Sequence, residues 1–164
     1  MSLTADDAMA ELYRREKPGL LRLAVLLLGD RAQAEDVVQD AFLNTHRKRA
    51  GLDPDTAAGY LRVAVVNGAR TIHRRRRLTW RHHRTTSPDA PPADTDLLVA
   101  EEHREVLRAV RALPRRQREV LVLRYWSGLT EAEIADTLGV SKGTVKTSAS
   151  RALATLARRL GDQP

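Results

Sequence analysis

The segment that most constrains this chain is LTEAEIADTLGVSKGTV, residues 129–145, because it writes two helix starts and one helix stop in immediate succession. Thr130 is placed to cap a helix with Glu133 as its capping-box partner, and Leu129 can meet Ile134 as a hydrophobic staple. Gly139 supplies the stop, Ser141 the next cap, and Val140 with Val145 repeats the staple. Pro114 opens an earlier helix over residues 115 to about 126, so the spacing predicts helices at 115–126, 131–138 and 142–160, a helix-turn-helix. On the last of these, Val145, Ala149, Ala152 and Leu156 share one face, with Leu153 and Leu160 alongside. The opposite face carries Gly143, Thr144, Lys146, Thr147, Ser150 and Arg151, small hydroxyls and cations that fit a DNA major groove. Gly143 also permits close backbone approach near a helix N-terminus, where a phosphate is favoured. A tri-helical fold without DNA contact is the plainer alternative.

The first half reads as consecutive helices over residues 8–78. Gly29 ends one of them and Asp30 can cap the next, with Gln33 in the capping-box position. In AEDVVQDAFL, residues 34–43, Ala34, Val37, Val38, Ala41 and Phe42 fall on one side and Glu35, Asp36, Gln39 and Asp40 on the other. Acidic residues near a helix start complement its dipole, and the same face is a candidate docking surface. A turn-rich loop, GLDPDTAA, precedes a helix expected from about Ala57. That helix begins apolar and ends in Arg74, Arg75, Arg76 and Arg77. Asn67 and Thr71 lie one turn apart, with Arg70 and Arg74 as a neighbouring stripe. Such a face suits bases and phosphates, although a solvated basic helix end is also consistent with it.

Between the halves, TTSPDAPPADTD breaks the helical pattern with three prolines and reads as a flexible, mildly acidic linker. The fold expected is therefore all-α, with two small helical domains at 8–78 and 97–161 joined by a linker at 79–96, the second domain a helix-turn-helix. The net charge of +7 points toward a polyanion, and residues 62–84 hold no Asp or Glu. Cysteine is absent, which excludes disulfides and thiolate chemistry. The longest apolar stretch, residues 20–29, is interrupted by Arg22 and falls well short of the roughly 20 residues of a membrane span. The acidic start is no signal peptide, so no membrane insertion and a cytoplasmic location are expected.

With both halves read, the sequence resembles the extracytoplasmic-function sigma factors of the sigma-70 family. AEDVVQDAF resembles the family's polymerase-binding helix, and AGYLRVAVVNGARTIHRRRR its minus-10 helix. The segment LPRRQREVLVLRYWSGLTEAEIADTLGVSKGTVKTSASRALATL resembles its minus-35 module. The resemblance implies that Asp36, Gln39 and Asp40 dock on the beta-prime clamp helices of core RNA polymerase, with Phe42 packed beneath, and that the second module meets the beta flap. It implies a loop at 51–55 that captures a flipped base, Asn67, Arg70 and Thr71 near strand-separated bases, and Arg74, Arg75, Arg76 and Arg77 on phosphates. It implies Lys142, Thr144, Lys146, Thr147, Ser148, Ser150 and Arg151 at the minus-35 element. Ser148 and Ser150 depart from the family's usual basic or larger side chains. An anti-sigma partner is also implied, and the short run beyond Leu160 argues against a built-in regulatory domain.

The first rival is a helix-turn-helix regulator that acts without polymerase; it would need a sensory or dimerising module, and the first half shows neither a strand-helix alternation nor a ligand-pocket signature. An enzyme such as a nuclease is the second. No metal-ligand cluster or phosphate loop accompanies the carboxylates, and His46, His73, His82, His83 and His103 lie mostly amid arginines. No catalytic residue, metal or cofactor is expected.

Overall fold

The computed structural model describes residues 4–48, 53–82 and 103–161, and among them the chain is all-α, with seven helices and no strand. Helix α1, Ala5–Leu28, starts at Thr4, whose hydroxyl accepts from the Asp7 N–H while the Asp7 carboxylate takes the Thr4 N–H, a closed capping box. Pro18 lies inside it, so the Arg14 carbonyl lacks its helical donor. The end of α1 is apolar all round, with Leu20, Leu23, Ala24, Val25, Leu26, Leu27 and Leu28 all buried. A helix of that kind needs partners on every side. It has them: α2, α3, α4 and α5 all pack on it.

Helix α2, Arg31–Arg47, follows Gly29, whose φ of 70° is the left-handed stop that glycine adopts without steric cost. Asp30 caps α2 by accepting the Gln33 N–H at 3.1 Å, but the Gln33 side chain does not return the bond as expected. It accepts the Arg76 guanidinium instead. Phe42 is buried against Tyr13, with ring centroids 4.8 Å apart. Helix α3, Pro54–His82, begins three residues before the expected Ala57, because a proline at the first helical position is pre-set for the helix and needs no donor there. It also runs past Leu78 into the expected linker, whose residues 83–96 lie outside the described residues.

The second half contains α4, Arg104–Arg111, α5, Arg115–Tyr125, α6, Glu131–Leu138, and α7, Lys142–Gly161. The expected punctuation is present. Thr130 and Glu133 form the capping box, Gly139 stands at φ 66°, and the Ser141 hydroxyl accepts from the Thr144 N–H at 3.1 Å. Leu129 and Ile134 are both buried, and so is Val145. Val145, Ala149 and Ala152 seat α7 as the spacing required, while Leu153 and Leu160, expected alongside, are exposed. One contiguous apolar core runs through both halves. None of the described helices is long and apolar enough to cross a membrane.

Candidate nucleic-acid interface

Helices α2 and α3 approach closely where Gly68 faces Val37: a Cβ built on Gly68 would stand 2.8 Å from Val37 Cγ1. Beside this contact the helices enclose a groove of about 810 Å³. One wall carries Asp36, Asp40 and Asn44, the other Asn67, Thr71, Arg75 and Thr79, over a floor that includes Val37, Ala41 and Ile72. Asp36, Gln39 and Asp40 are exposed. The carboxylates and the polar residues of α3, read from separate motifs in the sequence, thus share one groove. Thr71 is anchored there, its hydroxyl donating to the Asn67 carbonyl at 3.0 Å.

The arginine run of α3 divides by helical position. Arg74, Arg75 and Arg77 are exposed and available to a polyanion. Arg76, expected with them on phosphates, is half-buried. Its guanidinium donates to the Leu28 carbonyl at 3.3 Å and to Gln33, tying α3 to the end of α1 and the start of α2. A cation there complements the negative end of the α1 dipole. His73 lies one turn before Arg77 and donates from Nε2 to the Leu27 carbonyl at 3.0 Å. Burial holds its pKa below the ordinary histidine value, against the Leu27 bond that raises it and with help from Arg118, Arg76 and Arg115.

Arg70 also has a protein partner. Its Nε donates to Glu119 Oε1 at 3.1 Å and its Nη2 to Glu119 Oε2 at 3.3 Å, with a further contact to the Leu138 carbonyl at 3.4 Å. The Glu119 side chain is 3% exposed and is approached within α5 by Arg115 at 3.8 Å and Arg116 at 3.3 Å. None of these partners was singled out in the sequence. A carboxylate four residues before Leu123 on an apolar face was the available signal.

On α7, Lys142, Thr144, Lys146, Thr147, Ser150 and Arg151 are exposed. Ser148, expected with them at the minus-35 element, is 8% exposed. Three residues beyond Val145 and four before Ala152, it belongs to the buried seam of the helix. Glu131, at the start of α6, lies 3.1 Å from Arg124 and 3.9 Å from Lys146, so it links α5, α6 and the polar face of α7.

Comparison with known proteins follows this division of the chain. Residues 12–79 match Sigma-70 region 2 and residues 103–156 match Sigma-70, region 4. The RNA polymerase sigma-E factor of Streptomyces antibioticus is 34% identical over 154 residues, covering 92% of this chain and 83% of that protein. The ECF RNA polymerase sigma factor SigM of Mycobacterium tuberculosis is 36% identical over 155 residues, covering 94% of this chain and 78% of the relative. The chain belongs to the sigma-70 family. It is a sigma factor of the extracytoplasmic-function group, a transcription-initiation subunit that binds core RNA polymerase and directs it to promoters. The sigma fold is shared with RpoE of Bartonella quintana, solved in complex with the anti-sigma factor NepR. The TM-score is 0.75 at 23% identity, over 94% of this chain and 98% of that one. It is shared also with CnrH, solved with the cytosolic domain of CnrY, at a TM-score of 0.67 and 24% identity, over 97% and 96% of the two chains.

Proposed function

We propose the following division of labour within this sigma factor. The first module, residues 8–78 with α3 continuing to His82, docks on the clamp helices of the beta-prime subunit through Asp36, Gln39 and Asp40. It holds the strand-separated minus-10 bases with Asn67, Arg70 and Thr71, while Arg74, Arg75 and Arg77 neutralise phosphates. The loop at 51–55 receives a flipped base; Gly51 and Leu52 of that loop lie outside the described residues. The second module, within residues 97–161, lays α7 in the major groove of the minus-35 element through Lys142, Thr144, Lys146, Thr147, Ser150 and Arg151, and also meets the beta flap.

The observation that carries this reading is the division of exposed polar faces. One groove gathers the α2 carboxylates and the α3 base-sized polar groups, and a separately capped helix presents hydroxyls and cations to solvent. Neither face offers enough specific contacts alone. Polymerase fixes their spacing and makes the second engagement effectively intramolecular. Trapping of single-stranded bases then favours the open complex by mass action. The polymerase performs the chemistry and the sigma factor itself catalyses nothing. Its working place is the cytoplasm, where core polymerase and promoters are.

An anti-sigma protein that masks these faces is a further proposed partner, supported by the complexes in which the two fold neighbours were solved. The test of the assignment is run-off transcription on a pool of promoter fragments with core polymerase, comparing the intact chain with an Asp36→Ala, Asp40→Ala variant. New start sites with the intact chain alone uphold it. Equal transcripts from the variant overturn the docking role of α2.

A further inference from the structure

A surface that binds a polyanion gains from cations and loses from carboxylates, so an acidic group set among its cations calls for a reason. Glu131 is such a group. It opens α6, and its two oxygens are divided: Oε1 accepts from Arg124 Nη1 at 3.1 Å, while Oε2 lies 3.9 Å from the Lys146 ammonium on the polar face of α7. The start of α6 does not depend on it, because Thr130 and Glu133 close the capping box between themselves. Arg124 is itself steadied over the Tyr125 ring, 5.7 Å from its centroid. The Glu131 side chain is 29% exposed and that of Lys146 70%. The carboxylate is therefore the fixed end of the pair and the lysine the mobile one.

A lysine on its flexible stem reaches phosphates from several directions unless something restrains it. Phosphate contacts carry no sequence information themselves, but they fix the register in which base edges are read. We propose that Glu131 is a positioning residue for promoter recognition, a role that rests on the minus-35 reading of α7. It holds the Lys146 ammonium in one direction, so that Lys146 meets its phosphate in the register where the exposed Thr144, Thr147 and Ser150 face the bases. An ammonium has three donors, so Lys146 keeps the carboxylate while it bonds the phosphate. In any other register the lysine does not offset the Glu131 charge, which then repels the duplex. Mismatched binding is thereby weakened more than matched binding, and affinity is exchanged for selectivity.

The test uses the full chain in complex with core RNA polymerase. Binding is measured to one promoter fragment recovered from the run-off pool and to the same fragment with its minus-35 element scrambled, and the ratio of the two affinities is the readout. Glu131→Gln should tighten the scrambled complex and lower the ratio by about threefold, the size an exposed ion pair supports. Glu131→Asp keeps the charge at the start of α6 but is one methylene short of Lys146, so it should lower the ratio without tightening the scrambled complex. In a Lys146→Ala chain, Glu131→Gln should change the ratio no further, because the two residues act as one unit. A role confined to the start of α6 would move thermal stability and leave the ratio alone. A parental ratio in Glu131→Gln, or an equal further fall in the Lys146→Ala background, therefore overturns the positioning role whatever happens to Tm. Failure of the underlying reading looks different: if Lys146→Ala and Arg151→Ala both keep the parental ratio, α7 does not read the element and the proposal falls with it. A fall in those two beside a parental Glu131→Gln ratio overturns the role of Glu131 alone.

Discussion

At Gly68 the distance between two helices is set by the absence of a single methyl group. An alanine there would bring its Cβ to 2.8 Å from Val37 Cγ1, and Val37 is buried and β-branched, with little freedom to turn away. Overpacking of this kind costs about 1–3 kcal/mol, and the better helix propensity of alanine returns about 1. We expect Gly68→Ala to lower stability by about 1 kcal/mol in urea unfolding, against the stabilisation that a helical Gly→Ala change otherwise gives; an unchanged or raised midpoint would sink this account. His73 makes a pH-dependent contribution whose sign follows from its lowered pKa. The folded state favours the neutral ring, and the unfolded chain takes up the proton near the ordinary histidine value of 6.5. The stabilisation is present above that value and is lost as pH falls below it toward the lowered folded value. The groups facing the ring, Arg76 from α3 and Arg115 and Arg118 from α5, all disfavour the imidazolium. Thermal melts from pH 7.5 to 5.5 should therefore show Tm falling more steeply for the parent than for His73→Gln. Neither residue could be read this way in the sequence: Gly68 sat in a helix as an unexplained glycine, and His73 was one histidine amid arginines, because the meaning of each depends on a helix far away in the chain.

At the scale of the element, the legible features were those closed within three or four residues. The Thr130 and Glu133 capping box, the Gly139 stop and the Ser141 cap all join near neighbours, so residue order alone dictated them. At Ser148 the local rule and the family resemblance pull apart: the residue stands three from Val145 and four from Ala152, on the buried seam of α7, while the resemblance implies a place at the minus-35 element. The contrast gives a direct prediction for α7. In a promoter-binding assay of the polymerase complex, Lys146→Ala should weaken the minus-35 contribution and reduce the salt slope by about 1, as the loss of one phosphate neutralisation does. Ser148→Ala should leave both affinity and base preference unchanged. A loss of sequence selectivity in Ser148→Ala would return that residue to the DNA face. The contacts that join elements were not legible by comparison. Arg76 meets Gln33 across 43 residues and Arg70 meets Glu119 across 49, and nothing local marks Arg76 as different from Arg75 or Arg77.

For the whole molecule the governing quantity is reach. The sequence correctly foretold an all-helical chain with a helix-turn-helix at one end, because aliphatic periodicity and caps are written locally. It did not foretell that one core would run through both halves, since periodicity shows which face of a helix is buried and not what buries it. Residues 83–102 lie between the described parts of the two modules, and simultaneous use of both promoter elements, as proposed above, would rely on their reach. Twenty residues span at most about 70 Å when fully extended. A compact module of this size has a radius of gyration of about 11 Å, so the two bodies and the tether together cover the roughly 85 Å between the promoter elements with little to spare. Removing residues 86–95 halves the tether to about 35 Å and leaves the pair short of that span. We expect this deletion to bind core polymerase as the parent does, since Asp36, Gln39 and Asp40 are untouched. It should lose transcription from promoters that need both elements, and the loss should be relieved on templates in which the minus-35 element is moved closer by one helical turn, about 10 base pairs. If the deleted chain transcribes the normally spaced template at parental levels, the two modules are not engaging both elements through this tether, and the shared-binding account of promoter choice fails with it.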